Sequence, residues 1–259
     1  MKYFLLLPII FSFVDFSFGQ IRGIENTRQQ IEVLYRKPTK TELQSVSVDT
    51  NLSEKYQSFL NAKNTGLIRL MSDKGCTSSS KIIVASDYCV KYSMPGNGSA
   101  YSFRVENYRI RHLADLAFKD NILYSGGRLT LSAMVNLGNK DINLITQNSE
   151  SVKKITELMP ETEFDIVVKQ VERLKKGITV NSLFFSNKLS AEKNSTYILR
   201  SIAFGGNNFV AVKGFTYNEF DYDKRRDIII AFRVVEKNDD GSIVLLWKEL
   251  RNEKAPKLN

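Results

Sequence analysis

Apolar and polar positions alternate most clearly near the end of the chain. Ile228, Ile230, Phe232 and Val234 recur at every second residue, Asn238-Asp239-Asp240-Gly241 interrupts, and Ile243, Leu245 and Trp247 alternate on the return. Period two means one side of a strand, so this stretch predicts a β-hairpin. Between 161 and 176 the period changes to three and four, with Phe164, Val167, Val168, Val171 and Leu174 on one stripe. Glu161, Glu163 and Asp165 stand at its start and Arg173, Lys175 and Lys176 at its end, as a helix dipole favours. Pro160 precedes it and Gly177 follows.

Other segments read in the same way. Leu52, Tyr56, Phe59 and Leu60, with Ser53 as N-cap, give a short helix, and weaker helical signals run over 151–158. Runs at 67–71, 81–85, 178–186, 196–204 and 208–213 read as strands. Between Ala100 and His112 the alternation changes phase near Glu106 and Asn107, which predicts a bulge or turn. Lys119-Asp120-Asn121 and Gly138-Asn139-Lys140-Asp141 sit between apolar runs and predict two more hairpins, 113–118 with 122–125 and 129–137 with 142–145.

The fold class expected is therefore α+β: a mainly antiparallel sheet of meander and hairpins, packed against one long amphipathic helix, with shorter N-terminal helices. Residues 50–251 form one domain, with β-rich stretches at 67–146 and 178–251 around helix 161–176. A polar lead-in occupies 20–49 and a flexible tail 252–259. Leu113-Ala-Asp-Leu-Ala-Phe118 resembles Leu199-Arg-Ser-Ile-Ala-Phe204. Either a duplication or the shared composition of hairpins accounts for it.

The first nineteen residues change the picture of where the protein works. Lys2 is followed by an apolar run from Phe4 to Phe18, with Ser17 and Gly19 as the small residues before a cleavage site, so the mature chain is expected to start at Gln20. The run is shorter than the roughly 20 residues of a membrane span. The expectation is a secreted or periplasmic protein with no transmembrane segment in the mature chain. Cys76 and Cys89, the only two cysteines, then read as one disulfide.

Composition narrows the chemistry. Of 259 residues, 42% are hydrophobic and 25% charged, near the average for globular chains, which excludes disordered and collagen-like classes. With one histidine, His112, and no G-x-S-x-G or phosphate-cradling glycine motif, nucleophilic catalysis and nucleotide chemistry have few side chains to use. No cofactor is expected. The net charge is +9, spread along the chain rather than gathered in one segment, so the expectation is weak attraction to anionic polymers and no specific nucleic-acid recognition.

Three constellations remain. Glu219, Asp221 and Asp223 alternate, so in an extended segment they would share one side and offer oxygen ligands to calcium or an acid and a base to a glycosidase. Arg104, Arg109 and Arg111 interleave with Tyr101, Phe103 and Tyr108, an anion-binding pattern. Arg173, Lys175 and Lys176 form a second basic cluster. The functional expectation is a non-enzymatic binding or structural protein whose partner is another protein or an anionic polymer. The alternatives are a carboxylate-dependent glycan hydrolase and a secreted inhibitor.

Overall fold

A run such as Ile228-Ile229-Ile230-Ala231-Phe232 has no polar side, so a strand made of it has to be covered on both faces. The computed structural model, which describes residues 28–29, 31–75, 94–158 and 161–259, is built around that requirement. The leader 1–19, the strand expected at 81–85 and the Cys76–Cys89 pair lie outside the described residues.

Short helices come first. Residues 31–35 are helical, followed by α1 (Lys40–Ser45), α2 (Thr50–Lys55) and α3 (Gln57–Leu60). Thr39 and Glu42 cap α1 reciprocally. Helix α2 starts at Asp49, whose carboxylate accepts from the Asn51 amide at 2.8 Å, and not at the expected Ser53. An aspartate is at least as good a cap as a serine, and here it lies one turn earlier.

Fourteen strands follow among the described residues. They are β1 (Thr65–Leu70), β2 (Ala100–Ser102), β3 (Asn107–Tyr108), β4 (Leu116–Lys119), β5 (Ile122–Ser125), β6 (Thr130–Asn136), β7 (Ile178–Val180), β8 (Leu183–Ser186), β9 (Lys188–Ser190), β10 (Thr196–Ala203), β11 (Phe209–Val212), β12 (Phe215–Asn218), β13 (Arg226–Lys237) and β14 (Ile243–Lys254). Helices α4 (Glu150–Glu157) and α5 (Phe164–Lys176) fall between β6 and β7.

Seven strands form the central sheet in the order β1-β14-β13-β10-β6-β8-β7, every neighbouring pair antiparallel. Five more form a second sheet, β3-β2-β4-β5-β9, and β11-β12 stand as a separate hairpin. One face of the central sheet, with Leu70, Tyr197, Ile230, Phe232 and Leu245, packs on Leu116, Phe118 and Leu123 of the smaller sheet and on Phe103 in the turn after β2. The opposite face, with Val135, Ile198, Ile229 and Leu246, packs on Val152 and Ile155 of α4 and Val167 and Leu174 of α5. The fold is α+β with mostly antiparallel sheet, in three layers.

Several expectations are corrected by this arrangement. The helical cover is two helices, α4 and α5, and not one long helix. Helix α5 starts at Phe164 because residues 161–163 are extended and bind the chain end: Asn259 N donates to Thr162 O (3.0 Å) and Phe164 N to Asn259 O (3.2 Å). The tail expected to fray is thus docked, with Gly205 N donating to Pro256 O at 2.8 Å. The stretch 142–145 is no hairpin partner of β6. Ile142–Leu144 is a 3₁₀ turn capped by Asp141, while β6 pairs with β10 and β8, where both its faces are buried. The expected strands at 178–186 and 208–213 belong to the hairpins β7-β8 and β11-β12, with Asn181, Ser182, Lys213 and Gly214 at positive φ in the turns. The phase change near Glu106 is a turn, with Glu106 at φ 50°. The two look-alike segments lie in different sheets, Leu116–Phe118 in β4 and Leu199–Ala203 in β10, and the central sheet draws strands from both β-rich stretches.

Gly66 of β1 sits opposite Trp247 of β14, and a Cβ there would lie 2.4 Å from the indole nitrogen. Gly66→Ala should cost about 1–3 kcal/mol by overpacking, measured by urea unfolding with the emission of Trp247, the only tryptophan, as reporter.

Candidate functional site

The two charged runs singled out in the sequence meet in the structure. Asn218 accepts from the Phe220 amide and turns Glu219–Tyr222 into a 3₁₀ helix, so the alternation of the acids in sequence no longer places them on one side. Glu219 turns inward and is 1% exposed. Asp221 is exposed and accepts from Asn218 Nδ2 at 2.7 Å. Asp223 has a fully buried side chain beneath two arginines. Among the described residues, no group of three or more His, Cys, Asp or Glu side chains is placed to hold a metal ion.

Glu219 is the centre of a polar cluster. Its Oε1 accepts from Tyr35 Oη (2.6 Å) and lies 2.6 Å from His112 Nε2; its Oε2 accepts from Asn208 Nδ2 (2.8 Å) and, at 3.5 Å, from Arg128 Nε. A carboxylate can only accept, so the Nε2 of His112 carries the hydrogen. Burial pushes the Glu219 carboxyl upward, but hydrogen bonds from His112 and Tyr35, with the charges of His112 and Arg128, outweigh it and hold it at about 2. Burial, reinforced by the bond to Glu219, pushes the Tyr35 phenol well above the ordinary tyrosine range, so Tyr35 remains a donor. Its ring stacks on Tyr222 at 4.7 Å and its hydroxyl lies 2.9 Å from that of Tyr217. Helical residues 31–35 are thereby pinned to β12 and the 3₁₀ turn. His112 itself lies in a second 3₁₀ turn, Arg111–Leu113, and is half-buried.

Arg104 and Arg109, expected as anion-binding groups, are interior. Arg104 donates to Asp115 (2.8 Å), Asp223 (2.8 Å) and the carbonyls of Lys224 and Leu113. Arg225 joins Asp223 at 2.9 Å and also donates to the carbonyls of Phe204, Arg128 and Leu129. Burial and the nearby Arg104 lower Arg225 to about 10. Burial also lowers Arg109, which donates to the carbonyls of Tyr35 and Tyr222. An alternating strand would have turned these arginines to solvent. The turn at 103–106 and the 3₁₀ turn at Arg111–Leu113 bring them inside, where Asp115 and Asp223 receive Arg104.

Arg111 differs from both. It is exposed and lies 4.7 Å from the centre of the Tyr124 ring; exposed Lys188, next to Tyr124 across β5-β9, lies 5.7 Å from the same ring. Neither has a carboxylate partner among the described residues. Arg173, Lys175 and Lys176 are exposed at the end of α5, with Lys175 paired to Glu172 at 2.5 Å. Tyr35, Asn208, Arg128, Tyr124 and Lys188 were not singled out in the sequence. Tyr35 and Glu219 are 184 positions apart, so no local pattern links them. Comparison with protein-family models, curated proteins and solved structures finds no match.

Two outcomes follow from the buried charges. A folded-state value of about 2 for Glu219, against about 4.3 unfolded, supplies about 3 kcal/mol that is present above pH 4.3 and lost as the pH falls toward 2. Urea unfolding at pH 5 and pH 2.5 should show that loss, and Glu219→Gln should remove most of the difference between the two. Arg104→Met leaves Asp115 in the interior without its ion-pair partner and Asp223 with Arg225 alone, and should cost about 3–5 kcal/mol at pH 7 by the same measurement.

Proposed function

We propose that this chain is an exported, non-enzymatic binding module that attaches to anionic polymers or surfaces through exposed cations. The observation that carries the reading is the pair Arg111 and Lys188, held over one tyrosine ring without a carboxylate. Each gains from the ring, about 0.5–1 kcal/mol at an exposed site, and each keeps its charge available to an anion at the surface. The charge balance supports it as well. Among the described residues the buried cations Arg104, Arg109 and Arg200 are matched in number by Asp115, Glu219 and Asp227. The positive surplus of the described residues is therefore surface charge.

The hydrolase reading has less support. Glycoside hydrolysis needs one carboxyl group that carries a proton near neutral pH. Glu219 is held ionised by its neighbours, and Asp221 is exposed to solvent.

Chromatography on immobilised heparin tests the proposal. The protein should be retained at 50 mM NaCl and released well below 500 mM, because exposed charges are screened within about 10 Å at 0.1 M salt. Arg111→Ala with Lys188→Ala should elute at distinctly lower salt. Retention that high salt leaves unchanged, or that the double substitution does not weaken, sinks the proposal.

A further inference from the structure

A cleft of about 340 Å³ opens between α2-α3, the 139–143 loop and the outer parts of β13 and β14. Its size is at the lower end of the range for small-ligand sites. Ile142 and Leu246, each 2% exposed, are its buried apolar lining. Tyr56 and Phe59 supply two half-buried rings, and Asn139 and Asn143 supply amides.

The charges around this cleft are unequal. Lys55 places its ammonium 5.5 Å from the centre of the Tyr56 ring. Arg233 is fixed by hydrogen bonds to Lys140 O (2.7 Å), Thr196 Oγ1 (3.0 Å) and Asn139 Oδ1 (2.5 Å), none of which carries a charge. Lys248, outside the lining, donates to Asn143 O at 3.2 Å and has the charge of Asp141 nearby. The one carboxylate in the lining, Asp141, already accepts from the Asn143 backbone (2.9 Å) and side chain (3.0 Å). Two lining cations, Lys55 and Arg233, without a carboxylate hydrogen-bonded to them thus stand beside two rings, two amides and one acid committed elsewhere.

We infer that this cleft binds a carboxylated sugar unit of an acidic polysaccharide. The C–H side of a pyranose ring is apolar and suits the rings of Tyr56 and Phe59, whose burial by the sugar removes apolar surface from water. The carboxylate meets Lys55 and the guanidinium of Arg233, which is preorganised by its three hydrogen bonds. Hydroxyl groups find donors and acceptors in the amides of Asn139 and Asn143. A phosphate backbone would use the cations and leave the amides and rings idle, and a neutral sugar would leave the cations idle. The inference rests on the binding-module reading and names its ligand class, at a place separate from Arg111 and Lys188.

Isothermal titration calorimetry of the full chain with an oligogalacturonate tetramer tests it, with a neutral gluco-oligosaccharide, inorganic sulfate and oligo-dT as comparisons. Saturable one-to-one binding of the tetramer is expected, at least tenfold tighter than that of the neutral oligomer. Tyr56→Ala should weaken it by about tenfold and the exposed-site variant Lys55→Gln by about threefold. Thermal unfolding of each variant checks the fold, and Lys55→Gln decides the matter if Tyr56→Ala does not fold. The inference is overturned by absence of tetramer binding, by equal binding of the neutral oligomer or sulfate, by tighter binding of oligo-dT that Lys55→Gln weakens, or by indifference to Lys55→Gln. Heparin retention that persists alongside any of these failures would leave the binding-module reading standing without this site.

Discussion

The structure depends on a sheet that is dry on both sides. Antiparallel sheets often leave one face to water, but every residue of β10 is buried, and β13 is buried over most of its length. A strand in that position can hold a polar side chain only if the protein supplies all of its partners. Arg200, in the middle of β10, meets the condition through two bonds to Asp227 of β13 (3.1 and 2.9 Å) and one to the Thr156 carbonyl in α4 (2.7 Å). Ser201, next to it on the other side, donates to Asp115 at 2.8 Å. One residue therefore ties the central sheet to the helical layer, and its neighbour ties it to the smaller sheet.

The same requirement places the chemistry. Asp115 accepts from Ser102, Ser201 and Arg104, and Arg104 reaches on to Asp223 and so to Arg225. This chain of charges runs from the smaller sheet to the turn after β12, next to the cluster around Glu219. Ion pairs of this kind add little net stability relative to well-packed apolar groups, yet breaking one is costly. Their effect is to fix register: the segment 104–115 and the segment 219–225 have one mutual position that leaves no charge stranded. Contact with other molecules is then left to side chains that the network does not use.

Period-two and period-three-four patterns were legible where one element carries its own signal. Ile228, Ile230, Phe232 and Val234, the turn at 238–241 and the return through Trp247 form β13 and β14, since a hairpin needs only neighbours in sequence. The stripe from Val167 to Leu174 lies within α5 for the same reason. What could not be read is what distant residues decide. The pairing of β6 with β10 instead of 142–145 depends on burial on both faces, and the partner of Glu219 lies 184 positions away. The acidic run is the instructive failure. Its alternation implied a common side, but Asn218 at its head is a turn-forming residue, and that local signal outweighs the alternation once its Oδ1 accepts from the Phe220 and Asn208 amides.

Every fully buried cation among the described residues is an arginine. A guanidinium presents five N–H donors in a plane, so Arg104 and Arg200 can satisfy a carboxylate and backbone carbonyls together; an ammonium has three donors at one point and is more strongly hydrated. No lysine among the described residues is buried, whereas arginines differ by position. Arg104 and Arg200 have acceptors facing them inside and are part of the core, and Arg111, which has none, remains beside an aromatic ring in water. The number of basic residues therefore says little about where the protein carries usable charge. What decides it is which arginines found a carboxylate or carbonyl inside. Arg104 and Arg109 did so, and Arg111, two positions further along the chain, did not.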